Sequence, residues 1–550
     1  MTRRPKASFF ILPLILFSIL SLFLPVPVGA AAVKPDFRLC ILYFNDFHGA
    51  LDAAERPEKD GAAGGAARLV KLVKDIQKAN EKAGIPTLVF NSGDFVQGQP
   101  LSNAGQGAVE AAMFNMMGLS AYCLGNHELD FGPRRLMALI GEIKAPCVTA
   151  NLSVSGQPVG APRMFTVGNI RVGVAGLVAA DDFSVESPTV EPSFLKDVKV
   201  SGETAQARAI VADLRSRGSD FVVFLTHFGD KRDRRLAEKV SGIDVICGAH
   251  SHTLIPGAVK VGRTHIVQAG SYGKYLGRMD VEFLRKRPAR VSARLIPVTA
   301  GLSEDPEMAR LIAQKKEAVP DAENEVLAQN RCLLKVDARN MRTGETPAGN
   351  LVADAMRFEL RADAAMINGG AIRAALPAGP VTLAHVKAFL PFAQSPTHLV
   401  SITGAELANA LHHGAKQAGK GGFPQVSGLS FTLVPLVGAF DVRVGDEPLD
   451  NRKVYTLAVN SFIATGGDGY TVLRDIPAER RSVHPTAALL LARHLKTRYG
   501  QAGQVLDYCE PQDRIRLPLS ASLGYSGMLP WRFLGSSFFL PESMAKALIR

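Results

Sequence analysis

Short apolar runs that end in clusters of small polar residues recur along the first half of the chain, at 38–44, 87–90, 120–124, 221–225 and 243–247. Runs of this length, bounded by glycine, asparagine or aspartate, predict buried strands. Pro146 to Leu152 and Arg171 to Leu177 are further strand-like runs. Between the first two runs the spacing changes, and Ala66, Leu69, Val70, Val73 and Ile76 fall on one helical face, predicting a helix that covers the sheet. Strands alternating with helical stretches imply an α/β architecture.

The polar clusters carry the chemistry. In order, the runs deliver Asn45-Asp46-Phe47-His48-Gly49, then Asn91-Ser92-Gly93-Asp94, then Gly125-Asn126-His127-Glu128-Leu129-Asp130, then Thr226-His227-Phe228-Gly229-Asp230, then Gly248-Ala249-His250-Ser251-His252-Thr253. Side chains alternate along an extended segment, so Asp46 and His48 are expected on one side, and His250 and His252 likewise. One histidine after a strand is ordinary. Five such endings in one domain make a metal centre the better reading, with an imidazole, carboxylate and amide donor set that suits zinc or manganese without deciding between them. Asp130, three residues after His127, is placed to orient that imidazole and make it more basic.

These motifs, DxH, GD, GNHE, H and GHxH in this order, resemble the calcineurin-like metallophosphoesterases. The resemblance implies a four-layer α/β sandwich with two divalent metal ions. Asp46, His48 and His252 would hold one ion, Asn126, His227 and His250 the other, and Asp94 would bridge them. By the same resemblance His127 would stay free of metal and serve the leaving oxygen, with Asp130 as its partner. Two divalent ions against two carboxylates leave about two positive charges, which favours an anionic phosphoryl group.

A second pattern follows. Asp305 to Gln329 are mostly helix formers interrupted by Pro320, which predicts a helical linker over 301–335. Beyond it, Arg342 and Arg373 are candidate phosphate ligands by their forked donor geometry. Phe392 and Phe462 lie beside glycine-rich or proline turns, where paired rings can stack on a base, and Asp468 could accept from ribose hydroxyls. The stretches NGGAIR, LPF and FIATGGDGY resemble the C-terminal substrate domain of the 5′-nucleotidase and UDP-sugar hydrolase family. That resemblance implies Asn368, Arg342 and Arg373 around the phosphate, Phe392 and Phe462 on either side of the base, and Asp468 at the ribose. Ala393-Gln394 depart from its usual pattern.

The expected organisation is therefore an α/β sandwich metallophosphoesterase domain over 36–300, the linker, and a smaller α/β substrate-binding domain over 336–516. The function this resemblance implies is release of phosphate from nucleoside 5′-phosphates by an exported dimetal phosphohydrolase, with UDP-sugars or nucleoside di- and triphosphates as further expected substrates, and the expected partners are nucleotides. Alternatives are a 2′,3′-cyclic-nucleotide phosphodiesterase with 3′-nucleotidase activity, a thiosulfohydrolase on the same scaffold, and a metal-silent nucleotide-binding surface protein.

Composition adds limits. The 550-residue length exceeds one core, 47% apolar with 21% charged residues fits a globular protein, and a net charge of +12 spread along the chain does not call for a nucleic acid polymer. Arg3, Arg4 and Lys6, an apolar run from Ala7 to Leu24, and small residues through Ala32 read as an export signal over 1–32. The length of that run leaves an uncleaved membrane anchor open, and the expected location is periplasmic or cell-surface. Cys40, Cys123 and Cys247 lie in apolar runs as buried thiols, while spacing assigns no disulfide; Cys332 with Cys509 is one possibility. Residues 517–550, broken by Pro530 and Pro541, have no assigned role.

Overall fold

The computed structural model describes residues 35–518 apart from 55–56, 184–189, 191, 319–320, 393–394, 436 and 502. The expected export segment, residues 519–550 of the tail and the Ala393-Gln394 pair lie outside the described residues. Among the described residues no helix is long and apolar enough to cross a membrane.

The first domain is built on strands β1 (Phe37–Phe44), β2 (Thr87–Asn91), β3 (Ala121–Tyr122), β4 (Arg163–Val167), β5 (Ile170–Val178), β6 (Phe221–His227), β7 (Val245–Cys247), β8 (Val259–Val261), β9 (Thr264–Val267), β10 (Tyr275–Leu284) and β11 (Arg287–Pro297). They form two sheets, in the orders β11-β10-β1-β2-β3 and β8-β9-β7-β6-β5-β4. Period-two alternation explains the layering: Phe221, Val223 and Leu225 of β6 enter the core between the sheets, while Val222 and Phe224 meet the helices outside. Helix α1 (Ala66–Lys82) packs Leu69, Val70 and Val73 onto the first sheet. Helix α2 (Glu203–Ser216) packs Ala207, Ile210 and Leu214 onto the second. The result is helix, sheet, sheet, helix: the four-layer α/β sandwich. β1, β2 and β3 run parallel, as do β5, β6, β7 and β9. Their carboxyl ends therefore face one edge, the usual place for a site in such sheets.

Two expectations are corrected. Residues 146–151 do not form a strand; the chain makes single bridges from Cys147 to Tyr122 and from Thr149 to Gly176. The run is apolar because it crosses from the first sheet to the second through their shared core, with Val148 fully buried. The predicted linker, read as helix formers interrupted by Pro320, is helical only in part. Helix α3 (Pro306–Glu317), with Asp305 capping Met308 N at 3.1 Å, buries Met308 and Ile312 in the first-domain core. Strand β12 (Val326–Asn330) follows, and it pairs with Gly379–Thr382 and Val505–Leu506 of the second domain.

A five-stranded sheet lies at the centre of the second domain. Its strands are β13 (Ala364–Asn368), β14 (Pro396–Thr403), β15 (Pro424–Ser427), β16 (Val454–Asn460) and β17 (Arg481–Thr486), in the order β15-β13-β16-β14-β17. Helix α4 (Pro347–Leu360) is buried against it. Cys332 and Cys509 form a disulfide, and Cys40, Cys123, Cys147 and Cys247 are free and buried.

Candidate dimetal site

The first-domain polar clusters converge at the carboxyl edge of the parallel strands. Asp46, His48 and His252 offer donor atoms within 4.8 Å of one another, and so do Asp94, His227 and His250. Asp94 joins the two sets: its Oδ2 lies 3.1 Å from His227 Nε2 and 3.8 Å from His48 Nε2. Asn126 reaches the second set through Oδ1, 3.2 Å from His250 Nδ1. All seven predicted ligand positions are thus brought together.

The mode of convergence differs from the alternation argument. Asp46, His48, Asp94, His250 and His252 have φ of 48°, 46°, 53°, 73° and 53°, so their backbones are left-handed rather than extended. His250 and His252 consequently belong to different donor sets. Hydrogen bonds between loops fix these conformations: Asp46 N donates to Gly93 O (3.0 Å), His48 N to Asp94 O (2.9 Å), and His250 N to Asp46 Oδ1 (3.0 Å). Gly125 is required by close approach, since a Cβ there would stand 2.1 Å from Asp94 Oδ1 and 2.7 Å from His227 Cε1.

The donor atoms fit divalent cations. His227 Nδ1 donates to Ser92 O at 2.9 Å, which turns Nε2 toward Asp94, where it is buried without a properly directed hydrogen bond. Nε2 of His48 and of His252 face each other at 3.0 Å. Burial drives His252 down to about 3 and His48 below its ordinary value, so both present lone pairs. Burial alone would lower His227, yet the Asp94 carboxylate outweighs it and holds that imidazole up at about 10. Converging imidazole nitrogens and carboxylate oxygens are a donor set that a pair of cations neutralises, a cation taking the place of the proton that His227 and Asp94 share.

His127 also comes within 4.8 Å of the His48 and Asp94 donor atoms, but both its ring nitrogens have other partners. Its Nδ1 bonds Asp130 Oδ2 at 2.6 Å and its Nε2 lies 3.2 Å from Arg373 Nη2 of the second domain. Burial lowers its pKa, but Asp130 and Asp94 together raise it above the ordinary value. Glu128, which the sequence reading passed over, accepts from the backbone N–H groups of Gly125, Asp94, Phe95 and Val96. Periodicity did not single it out, but it is the last letter of the GNHE motif, which was the available signal.

Arg373 closes the two domains over a cavity of about 690 Å³. One wall carries His48, Asp94, Asn126, His127 and His250; the facing wall carries Arg342, Asn368, Arg373, Phe392, Phe462 and Asp468. All six predicted substrate residues therefore face the metal donors. Phe392 sits under the Arg373 guanidinium, 5.6 Å from ring centre to Cζ. Asn368 is braced, accepting from Asn460 Nδ2 at 3.0 Å. Burial raises Asp468 to about 6 against the pull of Arg342 and Arg373. Asn460, Gln417, Lys420, Tyr272 and Asp182 also line the cavity. Asn460 could have been found, since it ends an apolar strand as the metal donors do; the others sit where no pattern marks them.

This sheet edge, with donor sets sharing one carboxylate, is that of a dimetal phosphoesterase, and residues 40–254 match the family model described as calcineurin-like phosphoesterase. Residues 323–475 match the model described as 5′-nucleotidase, C-terminal domain. The chain belongs to the two-domain family that combines them. Among curated proteins it is 30% identical over 494 residues to a trifunctional nucleotide phosphoesterase protein of Bacillus subtilis, covering 80% of this chain and 32% of that one. It thus spans about a third of that relative. It is 29% identical over 504 residues to a 5′-nucleotidase of Bos taurus, covering 81% and 86% of the two chains. A crystal structure of a 5′-nucleotidase precursor from Thermus thermophilus superposes with a TM-score of 0.78 at 29% identity, covering 88% of this chain and 99% of that one.

Proposed function

We propose that this chain removes phosphate from nucleoside 5′-phosphates, with two divalent metal ions held by Asp46, His48 and His252 on one side and Asn126, His227 and His250 on the other, sharing Asp94. One observation carries the proposal: a metal-donor wall and a wall of arginines and phenylalanines enclose a single cavity, joined by the Arg373–His127 contact. When bound, the ions activate water near neutral pH and draw charge from the phosphoryl oxygens.

The protein's own groups do the rest. Arg342, Asn368 and Arg373 hold the phosphate so that the P–O bond to the nucleoside points at His127. A water oxygen forms the new bond to phosphorus as the bond to the 5′-oxygen breaks, and the departing oxygen takes a proton from His127. Arg373 donates to His127 Nε2 in the structure. A phosphate that draws the guanidinium to itself frees Nε2, and the Asp130 and Asp94 carboxylates then favour its protonation. Phe392 and Phe462 take the base between them and Asp468 the ribose. We place the reaction outside the cytoplasm, supported by the basic, apolar and small-residue order of residues 1–32 and by the Cys332–Cys509 disulfide.

The deciding experiment measures phosphate release from 5′-, 3′- and 2′,3′-cyclic nucleotides, UDP-glucose, nucleoside diphosphates and a thiosulfonate conjugate, with and without chelator. Fastest release from a 5′-monophosphate, abolished by chelator, supports the reading. Faster turnover of 3′- or cyclic nucleotides, or a chelator-insensitive rate, overturns it.

A further inference from the structure

Arg342 occupies a difficult position. It lines the cavity beside Arg373, and its guanidinium makes no hydrogen bond to another described residue. Burial first, and then the neighbouring Arg373, lowers its hold on its proton, which reports that two cations are pressed together in a poorly solvated place. Left to itself, the turn bearing Arg342 would swing toward water. Something must hold it facing the cavity.

That restraint is Gln425, from the Phe423-Pro424-Gln425-Val426-Ser427-Gly428 stretch whose purpose the phosphate and base contacts leave unexplained. Gln425 is fully buried on β15, paired with Ile367 of β13, one residue before Asn368. Its Oε1 accepts from Thr346 N at 3.0 Å and Thr346 Oγ1 at 3.1 Å. Its Nε2 donates to Met341 O at 3.1 Å and to Gly344 O at 2.8 Å. A glutamine amide has two donors and two acceptor sites, and all four are spent on the residues flanking Arg342. The surroundings are shaped to admit it. A Cβ on Gly349 would stand 2.1 Å from Gln425 Oε1, and one on Gly369 would stand 2.2 Å from Met341 O. Gly419 N, donating to Arg342 O at 2.7 Å, closes the remaining side.

We propose that Gln425 is the positioning residue for Arg342: its side-chain amide clamps the 341–346 turn from beneath so that the guanidinium meets the substrate phosphate against the repulsion of Arg373. The proposal rests on the reading of Arg342 as a phosphate ligand. It gives Gln425 no contact with substrate. Its influence passes through one arginine, and so should be seen in phosphate affinity and vanish when that arginine is gone.

The test compares Gln425→Met, Arg342→Ala and the double variant in the full-length, metal-loaded protein, using AMP as substrate and inorganic phosphate as competitive inhibitor. Gln425→Met is expected to raise both KM for AMP and Ki for phosphate about tenfold or more, with a smaller effect on kcat. The double variant should lie within about twofold of Arg342→Ala alone, because coupled residues are not additive. If Gln425→Met does not fold, Gln425→Glu takes its place, keeping the shape and the acceptor toward Thr346 while losing both donors. An unchanged Ki in a Gln425 variant, beside a raised Ki in Arg342→Ala, overturns the proposal alone, and so does a double variant in which the two effects multiply. Unchanged KM and Ki in Arg342→Ala overturn the phosphate role of Arg342 and the positioning role with it.

Discussion

Replacing Glu128 with glutamine should damage the metal centre although Glu128 touches no metal donor. The carboxylate is 1% exposed. Oε2 accepts from Gly125 N at 2.6 Å and Asp94 N at 3.0 Å, while Oε1 accepts from Phe95 N at 2.8 Å and Val96 N at 3.2 Å. One side chain thus ties the loop after β2, which carries Asp94, to the loop after β3, which carries Asn126 and His127. A glutamine presents one oxygen and one NH2, so in either orientation two buried N–H groups meet a donor. An orphaned buried donor costs about 1 to 3 kcal/mol, so Glu128→Gln should lose about 2 to 6 kcal/mol. The assay is urea unfolding followed by circular dichroism, with chelator and with added metal. The metal-sensitive transition identifies the first domain in a chain that need not unfold in one step. In the same variant, metal affinity should fall about 10- to 100-fold, since Asp94 would no longer be held in place. A variant within about 0.5 kcal/mol of the parent that binds metal equally well would refute the argument, because those four bonds would then be dispensable.

Other outcomes follow from the same geometry. His127→Ala should lower kcat about 10²- to 10⁴-fold while elemental analysis still finds the parent's metal content, because Nδ1 is taken by Asp130 and Nε2 by Arg373 although the ring lies close to His48 and Asp94; loss of an ion would contradict this. Phe392→Ala should raise KM for AMP more than for p-nitrophenyl phosphate, by about 1 to 3 kcal/mol of lost stacking, and equal effects would exclude a base clamp. Asp354 is pushed up by burial but held below the usual carboxylate range by Arg514, Ser427 and Tyr508. A depressed folded pKa gives stability that is present above the unfolded value, near 3.9, and is lost as pH falls through the folded one, so the stability gap between the parent and Asp354→Asn should close below about pH 4. The disulfide spans 177 residues of sequence, so Cys509→Ser should destabilise the second domain by about 2 to 4 kcal/mol without altering metal content.

Much of the first domain was legible because its strands are buried on both faces, which makes them continuous apolar runs with polar residues only at their ends. The same rule misread residues 146–151, where the burial is that of a segment crossing between sheets. The linker was legible only in its helical first half, for a related reason. Helix-forming residues run from Asp305 to Gln329, but composition cannot tell that Met308 and Ile312 belong to the first core while Leu327 and Ala328 enter a strand of the second domain. Partner strands distant in sequence decided that. The Cys332–Cys509 bond, named from the sequence only as one possibility, does form, but spacing could not single it out because its ends meet only after β12 pairs with Val505–Leu506.

The site was legible in its residues and not in its geometry, and the gap has one cause. Extended backbone would set His250 and His252 side by side on one ion. At φ of 73° and 53° they turn instead to separate donor sets, each at a cost of about 1 to 2 kcal/mol for a residue with a Cβ. Glycine signals left-handed backbone strongly, aspartate and histidine only weakly, and here the positions are filled by histidine and aspartate because a donor atom is needed there. The structure holds them there through bonds from other loops: Gly93 and Asp94 carbonyls take the Asp46 and His48 amides, and the Asp46 carboxylate takes the His250 amide. Each ligand-bearing turn is thus restrained by another, so the strain is shared by loops more than two hundred residues apart in the chain. A site assembled this way keeps its donors converging only while every loop is in place, which is why a buried carboxylate such as Glu128, without a donor atom on either set, belongs to the metal centre as much as the histidines do.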